Sequence, residues 1–372
     1  MTSPVLSRIR ADLNPRTIVI LLAALAFLAK LYCAATTFGS SDVLNFWYYA
    51  RYIRQFGLLA MYRETAAFNH TPLVGWFVAH AQQLADDQQH MELFPFYLRL
   101  PVIFADLIAV FALIWLREKT GRPSWWAIGL FAASPVSFMV SGFHGNIDSL
   151  MVTGLLLSVA ACVAGRAELS GFFFGLSCNF KVIPLLLVPA LFFFWFQRRR
   201  ALRFTLPAAA TILIGWSVPL FTIPLVFKHN VLDYSSIWGV WGIPFGLRMT
   251  GLSQFQGILF TDKTPAETHL TTALKLATIA TVVFWAWYRR REEPMNVFKT
   301  LAFSFSVFFM LAPGFGAQYL LWPAPFFLAA ADSWYLALTV LSSLGLGIYY
   351  TASCDGRVPW YQATHMHRTI AV

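Results

Sequence analysis

Charged residues are scarce in this sequence. Of its 372 residues only 12% are charged, whereas 58% are hydrophobic and 36 are phenylalanines. Soluble domains contain about 25% charged residues, and a single aqueous core cannot cover so much apolar surface. The composition therefore excludes an ordinary soluble domain and predicts an all-α, polytopic transmembrane helix bundle.

Cysteines and acidic residues are also few. The four cysteines show no metal-type spacing, so we expect no disulfide framework. Seventeen acidic residues face 27 basic ones, which gives a net charge of +10. The basic residues cluster at the ends of apolar runs, as positive-inside sorting requires, so the charge does not indicate nucleic-acid binding. The first apolar run is too long for a signal-peptide core, and we expect no cleavable signal peptide.

The basic clusters set the predicted topology. Arg8, Arg10 and Arg16 precede the first apolar run and place the N-terminus in the cytoplasm. We expect one transmembrane domain over residues 1–372, with long outer loops at about 39–93 and 228–269. The predicted spans are 17–38, 95–116, 124–141, 148–165, 204–227, 270–288, 297–312, 317–331 and 334–352.

Residues 169–196 are predicted to form a short broken-helix hairpin. Basic residues flank this apolar stretch on both sides, and a single helix would place them on opposite faces of the membrane. Two helices, 169–180 and 184–196, remove the conflict, and Pro184 suits the start of the second. Each arm is too short to cross a core of about 30 Å. We therefore expect the hairpin inside the bundle, with Lys181 at its tip in the outer half of the membrane.

The first outer loop begins with a polar segment that contains Asp42. This residue lies four positions after Phe38, so its Cα is at most about 14 Å from the end of the first span. Ser41 is predicted to cap an amphipathic helix that starts at Asp42 and lies on the membrane surface. Asp42 is then either a general base at the lipid–water boundary or a first-turn carboxylate stabilised by the helix dipole.

A second polar cluster lies in the turn after the third predicted span. His144, Asn146 and Asp148 fall within five residues on the same predicted side as Asp42. The alternative is a polar turn in which Asp148 or Ser149 caps the next helix, which leaves His144 and Asn146 unexplained.

Three charged residues lie at membrane depth in the predicted topology. A lysine in a segment as apolar as the hairpin indicates function and requires a partner, so we expect Lys181 to meet a carboxylate or a substrate phosphate. Its alternative is a side chain that snorkels to the interface. Lys30 and Asp106 lie at comparable depth, and we expect them to form a buried structural pair.

Further outer-side residues complete the candidate site. Arg99 and Arg248 are possible phosphate ligands, and His70 and Gln318 lie in polar stretches on the same predicted side. Convergent polar groups in an apolar protein are the default prediction for a site. A base beside cations suits the transfer of a group from a phosphate leaving group.

These residues resemble the motifs of the C-type (GT-C) integral-membrane glycosyltransferases, which use polyprenyl- or dolichyl-phosphate-linked sugars. The resemblance covers about residues 15–350 and depends on the order and sidedness of short motifs. The motifs are Asp42-x-x-Asn45-x-Trp47, Thr71-Pro72-Leu73, the turn from Phe143 to Asp148, Lys181-x-x-Pro184, and Gln318-Tyr319-Leu320-Leu321-Trp322-x-x-Pro325.

The resemblance implies an inverting hexosyltransferase that acts outside the cytoplasm, with mannose as the expected sugar. It makes Asp42 the general base and Lys181 the ligand of the donor phosphate, with His144 and Arg248 as further candidates. Some relatives use a divalent metal, but Asp42 has no acidic neighbour, so we expect no metal and no cofactor. The expected partners are the lipid-phosphate-sugar donor, membrane lipids and a glycan, glycolipid or protein acceptor, but no nucleic acid.

The resemblance also implies a multi-pass protein of a bacterial or archaeal plasma membrane, or of the endoplasmic reticulum. A transporter or flippase for a lipid-linked saccharide is the alternative, with Lys30, Asp106 and Lys181 along its path. Transporters often contain two related halves with matching broken helices, and only one broken segment is predicted here.

Overall fold

The fold is an all-helical bundle. The computed structural model describes residues 14–87, 91–234, 236, 238–258 and 263–354. Arg8 and Arg10, which carry part of the prediction of a cytoplasmic N-terminus, lie outside these residues. The α-helices are α1 (Pro15–Thr36), α2 (Ser41–Phe56), α3 (Leu58–Glu64), α4 (Pro72–Asp87), α5 (Phe94–Thr120), α6 (Trp125–Ala132), α7 (Asp148–Val163), α8 (Ala167–Phe180), α9 (Val188–Gln197), α10 (Ala201–Thr222), α11 (Gly242–Met249), α12 (Pro265–Tyr288), α13 (Asn296–Leu311), α14 (Ala324–Ala330) and α15 (Asp332–Ser353).

Shorter turns join these helices. They are the α-turns Pro135–Ser137 and Pro224–Phe227, the π-helices Phe138–His144 and Lys228–Leu232, and the 3-10 turns Met91–Leu93, Ile183–Leu187, Ser253–Phe255 and Ala317–Leu321. Several boundaries follow from local chemistry. At α12, for example, the Thr264 side chain accepts from the Glu267 amide, and the Glu267 side chain accepts from the Thr264 amide.

Six helical segments of the described chain are long and apolar enough to cross a membrane. They are α1, α5, Trp125–His144, α10, α12 and α15. This confirms the predicted polytopic helix bundle, although nine spans were expected. The predicted spans 148–165 and 297–312 appear as α7 and α13, which at 16 residues each are about 24 Å long. The predicted span 317–331 is divided into a 3-10 turn and α14.

The predicted hairpin is present, with arms at α8 and at Ile183–Gln197. Glycines allow α8 to pack inside the bundle: a Cβ on Gly171 would lie 2.1 Å from the Phe204 carbonyl of α10, and one on Gly175 would lie 2.7 Å from the Ala208 carbonyl. Small residues at such spacing permit close backbone approach between helices in a membrane. The hairpin turn, with Lys181, is thereby held against its neighbours.

The predicted amphipathic helix is α2, and one detail of the prediction is wrong. Ser40, not Ser41, is the N-cap residue, and its hydroxyl accepts from the Asp42 amide at 3.2 Å. Either serine has the chemistry to cap, and the backbone decides between them because Ser40 takes the extended conformation that a cap needs. The predicted apolar face of α2, which runs from Val43 to Ile53, is buried.

Candidate functional site

Asp42 contacts two side chains from the segment that joins α6 to α7. The His144 Nε2 atom lies 3.0 Å from Asp42 Oδ2, and the Asn146 amide donates to the same oxygen at 2.7 Å. The structure therefore brings together three of the predicted site residues. His144 and Asn146 lie about 100 positions after Asp42 in the chain. Within the described part of the chain, the other carboxylate oxygen, Oδ1, has no hydrogen-bond partner.

The close approach of these two segments depends on glycine at two positions. Gly39 has a φ of +104° and Gly145 a φ of +82°, a region that strongly favours glycine. A Cβ on Gly39 would also lie 2.7 Å from the Phe143 carbonyl, and one on Gly145 would lie 2.4 Å from Val43. Ser40 completes the junction, since its hydroxyl donates to the His144 carbonyl at 2.7 Å.

Arg99 stabilises the same junction from the protein interior. This fully buried side chain donates to the carbonyls of Pro95, Ala34, Thr37, Phe38, Gly142 and Phe143 and to the Thr37 hydroxyl. Its guanidinium thus links the end of α1 to the end of the π-helix. Because these contacts engage all its nitrogens, Arg99 is not the phosphate ligand that the sequence suggested.

The environment of Asp42 keeps its carboxylate ionised. Burial alone would raise the pKa of this carboxyl group. The neighbouring His144, the Asn146 amide and the charge of Lys181 outweigh burial and hold the pKa well below its usual value. The side chain is still 30% exposed, so the ionised oxygen faces the adjoining cavity.

Lys181 has the carboxylate partner that its position in the hairpin requires. Its ammonium lies 2.8 Å from Asp148 Oδ1, and that carboxylate is completely buried. The Trp322 indole donates to the same oxygen. The Lys181 ammonium also lies 5.5 Å from the Tyr319 ring centre and 5.6 Å from that of Trp322, within cation–π range.

The alternative interpretation, in which Asp148 or Ser149 caps the next helix, is wrong. The N-cap residue of α7 is Ile147, and no side-chain cap hydrogen bond forms there. Asp148 instead binds Lys181 and Trp322, because its side chain points across the bundle. Ser149 shares a hydrogen bond with Ser141 at 3.0 Å.

A cavity of about 1540 Å³ adjoins these groups. Ligand sites for small molecules usually enclose about 300–1,000 Å³, so this cavity has room for two substrates. Most of the predicted site residues line this cavity: Asp42, His70, His144, Asn146, Lys181 and Gln318. Asn45, from the first motif, lines it too. These residues form its polar wall. Apolar residues of the hairpin and of α12 and α13 form a second wall: Val182, Ile183, Leu185, Leu186, Ile279 and Phe308.

His70 forms part of an aromatic corner of this cavity. Its ring centre lies 4.9 Å from that of Phe46 and 5.8 Å from that of Phe68. Burial, reinforced by the charge of Lys181, lowers the pKa of His70 to about 3, although Asp42 opposes the shift. His70 is therefore neutral at physiological pH and offers hydrogen bonds rather than charge.

Arg248 does not join the other predicted residues. Its guanidinium lies 3.5 Å from Glu267 and donates to the Gly257 carbonyl at 2.8 Å. It does not line the cavity. Sequence position alone could not show this, because the pairing with Glu267 depends on how the loop after α11 folds back.

The structure adds residues that the sequence reasoning missed. Tyr319 and Trp322 belong to the last of the motifs, but the sequence does not predict their contact with Lys181. Lys263 and Lys275 also line the cavity. Lys275 had a usable signal, since it interrupts an apolar span in the same way as Lys181.

The predicted Lys30–Asp106 pair is present and lies outside the site. Its two charged atoms are 2.6 Å apart and buried, and hydroxyls of Ser137 and Ser141 donate to the same carboxylate oxygen. The cavity beside the pair has a volume of only about 10 Å³, enough for about one water molecule. The pair is thus satisfied within the protein.

The arrangement can remove a proton from a substrate and bind an anion nearby. Asp42 supplies an ionised oxygen, and Lys181 supplies a cation on the same wall. Among the described residues, no three His, Cys, Asp or Glu side chains are grouped so that they could hold a metal ion.

Comparison with known proteins gives a match to a family model. The model of the ALG6, ALG8 glycosyltransferase family matches residues 70–229, which is less than half of the chain. The matched segment includes His70, His144, Asn146, Asp148 and Lys181, whereas Asp42 precedes it. A comparison with curated proteins finds no match. The family match supports a membrane glycosyltransferase that uses a lipid-linked sugar donor.

Proposed function

We propose that this protein is an inverting GT-C-type hexosyltransferase that acts on the non-cytoplasmic face of the membrane. It would move a sugar, with mannose as the expected one, from a polyprenyl- or dolichyl-phosphate donor to a hydroxyl group of a glycan, glycolipid or protein. The observation that carries the proposal is the shared wall of one large cavity, where the ionised Asp42 oxygen and the Lys181 ammonium both lie.

The proposed reaction is a single displacement at the anomeric carbon. Asp42 Oδ1 takes the proton of the acceptor hydroxyl while the acceptor oxygen forms a bond to C1. The bond from C1 to the phosphate oxygen breaks, and its electron pair stays on that oxygen. Lys181 stabilises the negative charge that develops on the phosphate, so no divalent metal is required.

Inversion follows because Asp42 is the one carboxylate among the described residues of the cavity wall. A retaining enzyme needs a second carboxyl group about 5 Å from the first, to form a covalent intermediate. Asp148 is the neighbouring acid, but it is fully buried, bound by Lys181 and Trp322, and absent from the cavity wall. Asp42 therefore acts as a base toward the acceptor, and no protein nucleophile is needed.

The apolar wall suits the lipid part of the donor. The hairpin residues that follow Lys181 line this cavity together with Ile279 of α12 and Phe308 of α13. A phosphate bound at Lys181 would place its prenyl chain along this wall. No observation favours the transporter alternative, because the charged residues expected along its path are paired within the protein.

Substitution of Asp42 by Asn tests the base assignment. A positioned general base contributes about 10²–10⁴-fold to a rate, so we expect Asp42→Asn to lose at least 100-fold in transfer while donor binding persists. The assay uses reconstituted protein and a panel of mannose, glucose, galactose and arabinose lipid phosphates.

Asp86→Asn is the matched control, because Asp86 forms a surface pair with Arg54 outside the cavity. This variant should retain wild-type transfer. Near wild-type turnover by Asp42→Asn would refute the base assignment. Transfer that EDTA abolishes and Mg²⁺ restores would refute the proposed metal-independent mechanism.

A further inference from the structure

His70 lies beside the general base of the proposed reaction. Its ring packs against Phe46, with 4.9 Å between the two ring centres. Phe46 follows Asp42 by four residues in α2, a rise of about 6 Å along the helix, and residues at this spacing share one face of a helix. Both Asp42 and His70 line the large cavity. The His70 ring is therefore part of the cavity wall about one helical turn from Asp42.

The segment around His70 also contacts the hairpin that carries Lys181. The hydroxyl of the next residue, Thr71, donates to the carbonyl of Asn179, which precedes Lys181 by two positions. The charges of Lys181 and Asp42 act on the pKa of His70 in opposite directions. The imidazole is therefore within electrostatic reach of both the base and the cation of the proposed reaction.

The imidazole of His70 is fixed in place, but its nitrogen atoms are free to bind a ligand. Tyr49 and Phe68 complete the aromatic corner, with ring centres 6.2 and 5.8 Å from that of His70. The Tyr62 hydroxyl donates to the His70 carbonyl at 2.7 Å. Among the described residues, none forms a hydrogen bond with either ring nitrogen. Because a polar group that is removed from water without a partner is costly, these nitrogens favour a polar ligand in the cavity.

The proposed displacement places the transferred sugar at this position. In the transition state, C1 of the sugar lies between the phosphate oxygen that leaves toward Lys181 and the acceptor oxygen whose proton Asp42 takes. The rest of the sugar ring extends sideways from that line. His70 is within reach of both charged groups and so lies beside the sugar ring. Since the imidazole is neutral and Asp42 is ionised, the position suits a hydroxyl group rather than a carboxylate.

We propose that His70, with the aromatic corner of Phe46, Tyr49 and Phe68, forms the subsite for the transferred sugar, and that its imidazole hydrogen-bonds one hydroxyl group of a neutral hexose. This inference rests on the proposed function and names the residue that recognises the donor sugar. A site built to hydrogen-bond a substrate hydroxyl rejects an analogue that lacks it. His70 is thus a specificity-determining residue, which neither takes the acceptor proton nor binds the phosphate.

Equilibrium binding of donor lipids to reconstituted protein, without acceptor, tests this subsite. The probes are polyprenyl phosphates of mannose, glucose and galactose, the monodeoxy forms of whichever binds most tightly, and polyprenyl phosphate without sugar. His70→Phe keeps a ring in the aromatic corner but leaves the sugar hydroxyl unpaired. We expect this variant to bind the sugar donor at least about fivefold more weakly than wild type, and polyprenyl phosphate equally well.

The monodeoxy donors give a readout that a purely structural role of His70 would not change. In wild type, removal of one particular hydroxyl should weaken binding at least about fivefold. In His70→Phe the same removal should change the affinity less than about twofold, because the partner of that hydroxyl is already absent. His70→Gln, whose amide can replace a ring nitrogen, should restore most of the affinity and of the discrimination.

His80→Phe is the matched control, because His80 is exposed on α4 and does not line the cavity. It should bind every probe as wild type does. Equal affinity of His70→Phe and wild type for the sugar donor would overturn the proposal. An equal loss of affinity for bare polyprenyl phosphate, or unchanged discrimination among the monodeoxy donors, would overturn it too. So would a wild-type protein that binds no sugar donor more tightly than polyprenyl phosphate.

Failure of this subsite is distinguishable from failure of the proposed function. If Asp42→Asn retains transfer while His70→Phe loses the discrimination among monodeoxy donors, the base assignment fails and the subsite stands. If Asp42→Asn loses transfer and His70→Phe binds every donor as wild type does, the subsite fails and the proposed reaction stands.

Discussion

Removal of the Lys181 charge separates the structural role of the Lys181–Asp148 pair from its chemical role. In Lys181→Met, the fully buried Asp148 carboxylate loses its cation, and among the described residues only the Trp322 indole remains as its side-chain donor. Loss of one partner of a buried pair costs about 3–5 kcal/mol. We expect a decrease of this size in the free energy of unfolding, together with loss of sugar transfer.

The double variant Lys181→Met/Asp148→Asn should recover stability but not activity. It removes the buried negative charge and leaves an amide oxygen that Trp322 can still bind. We expect it to be more stable than Lys181→Met by about 2 kcal/mol, a coupling typical of residues in contact. Transfer should remain absent, because the double variant lacks the cation that we propose as the ligand of the donor phosphate, Lys181.

The assay combines reversible unfolding in mixed micelles with transfer by the same preparations. Lys228→Met is the control, because the Lys228–Asp233 pair is exposed and should contribute less than about 1 kcal/mol. If the double variant transfers sugar at the wild-type rate, Lys181 is not a phosphate ligand. If Lys181→Met is as stable as wild type, the buried pair does not stabilise the fold.

Two further predictions concern groups around the site. Burial, together with the charge of Lys181, holds the pKa of His70 near 3, below the value of about 6.5 in an unfolded chain. Its contribution to stability is therefore complete above pH 6.5 and decreases as the pH falls toward 3. Thermal unfolding of His70→Gln should depend less on pH across this range, and equal slopes for the two proteins would contradict the assignment. Arg99→Met leaves six backbone carbonyls without their donor and should lower both the melting temperature and the transfer rate. Arg99→Lys should restore little of either, because an ammonium cannot span α1 and the π-helix as a guanidinium does, and full rescue by lysine would refute this role.

The sequence was sufficient to predict the hairpin and the charged pairs, because strong physical constraints act on single residues there. Charge sidedness predicted the hairpin around Lys181, because a continuous helix would have placed flanking basic residues on opposite faces. The high cost of isolated charges in an apolar segment predicted that Lys181 requires a partner and that Lys30 and Asp106 form a pair. The structure contains both pairs.

Long-range geometry accounts for what was missed. Trp322 reaches Asp148 across 174 positions of the chain, a contact that no local pattern contains. Arg99 has the charge of a phosphate ligand, and only its complete burial among backbone carbonyls shows otherwise. The wrong choice of Ser41 as the N-cap residue of α2 has a different cause. Ser40 and Ser41 have the same capping chemistry, and only backbone conformation separates them.

The π-helix Phe138–His144 has a consequence for how this site tolerates insertions and deletions. A π-turn holds one residue more than the α-turn it replaces. Deletion of a single residue there would let the segment close into an ordinary helix, and each residue of an α-helix turns by about 100°. His144 would rotate away from Asp42 while most hydrogen bonds of the helix were restored. The alignment of the His144 imidazole with the Asp42 carboxylate thus depends on the number of residues in this segment. A change of that number should disturb the site more than most side-chain substitutions do.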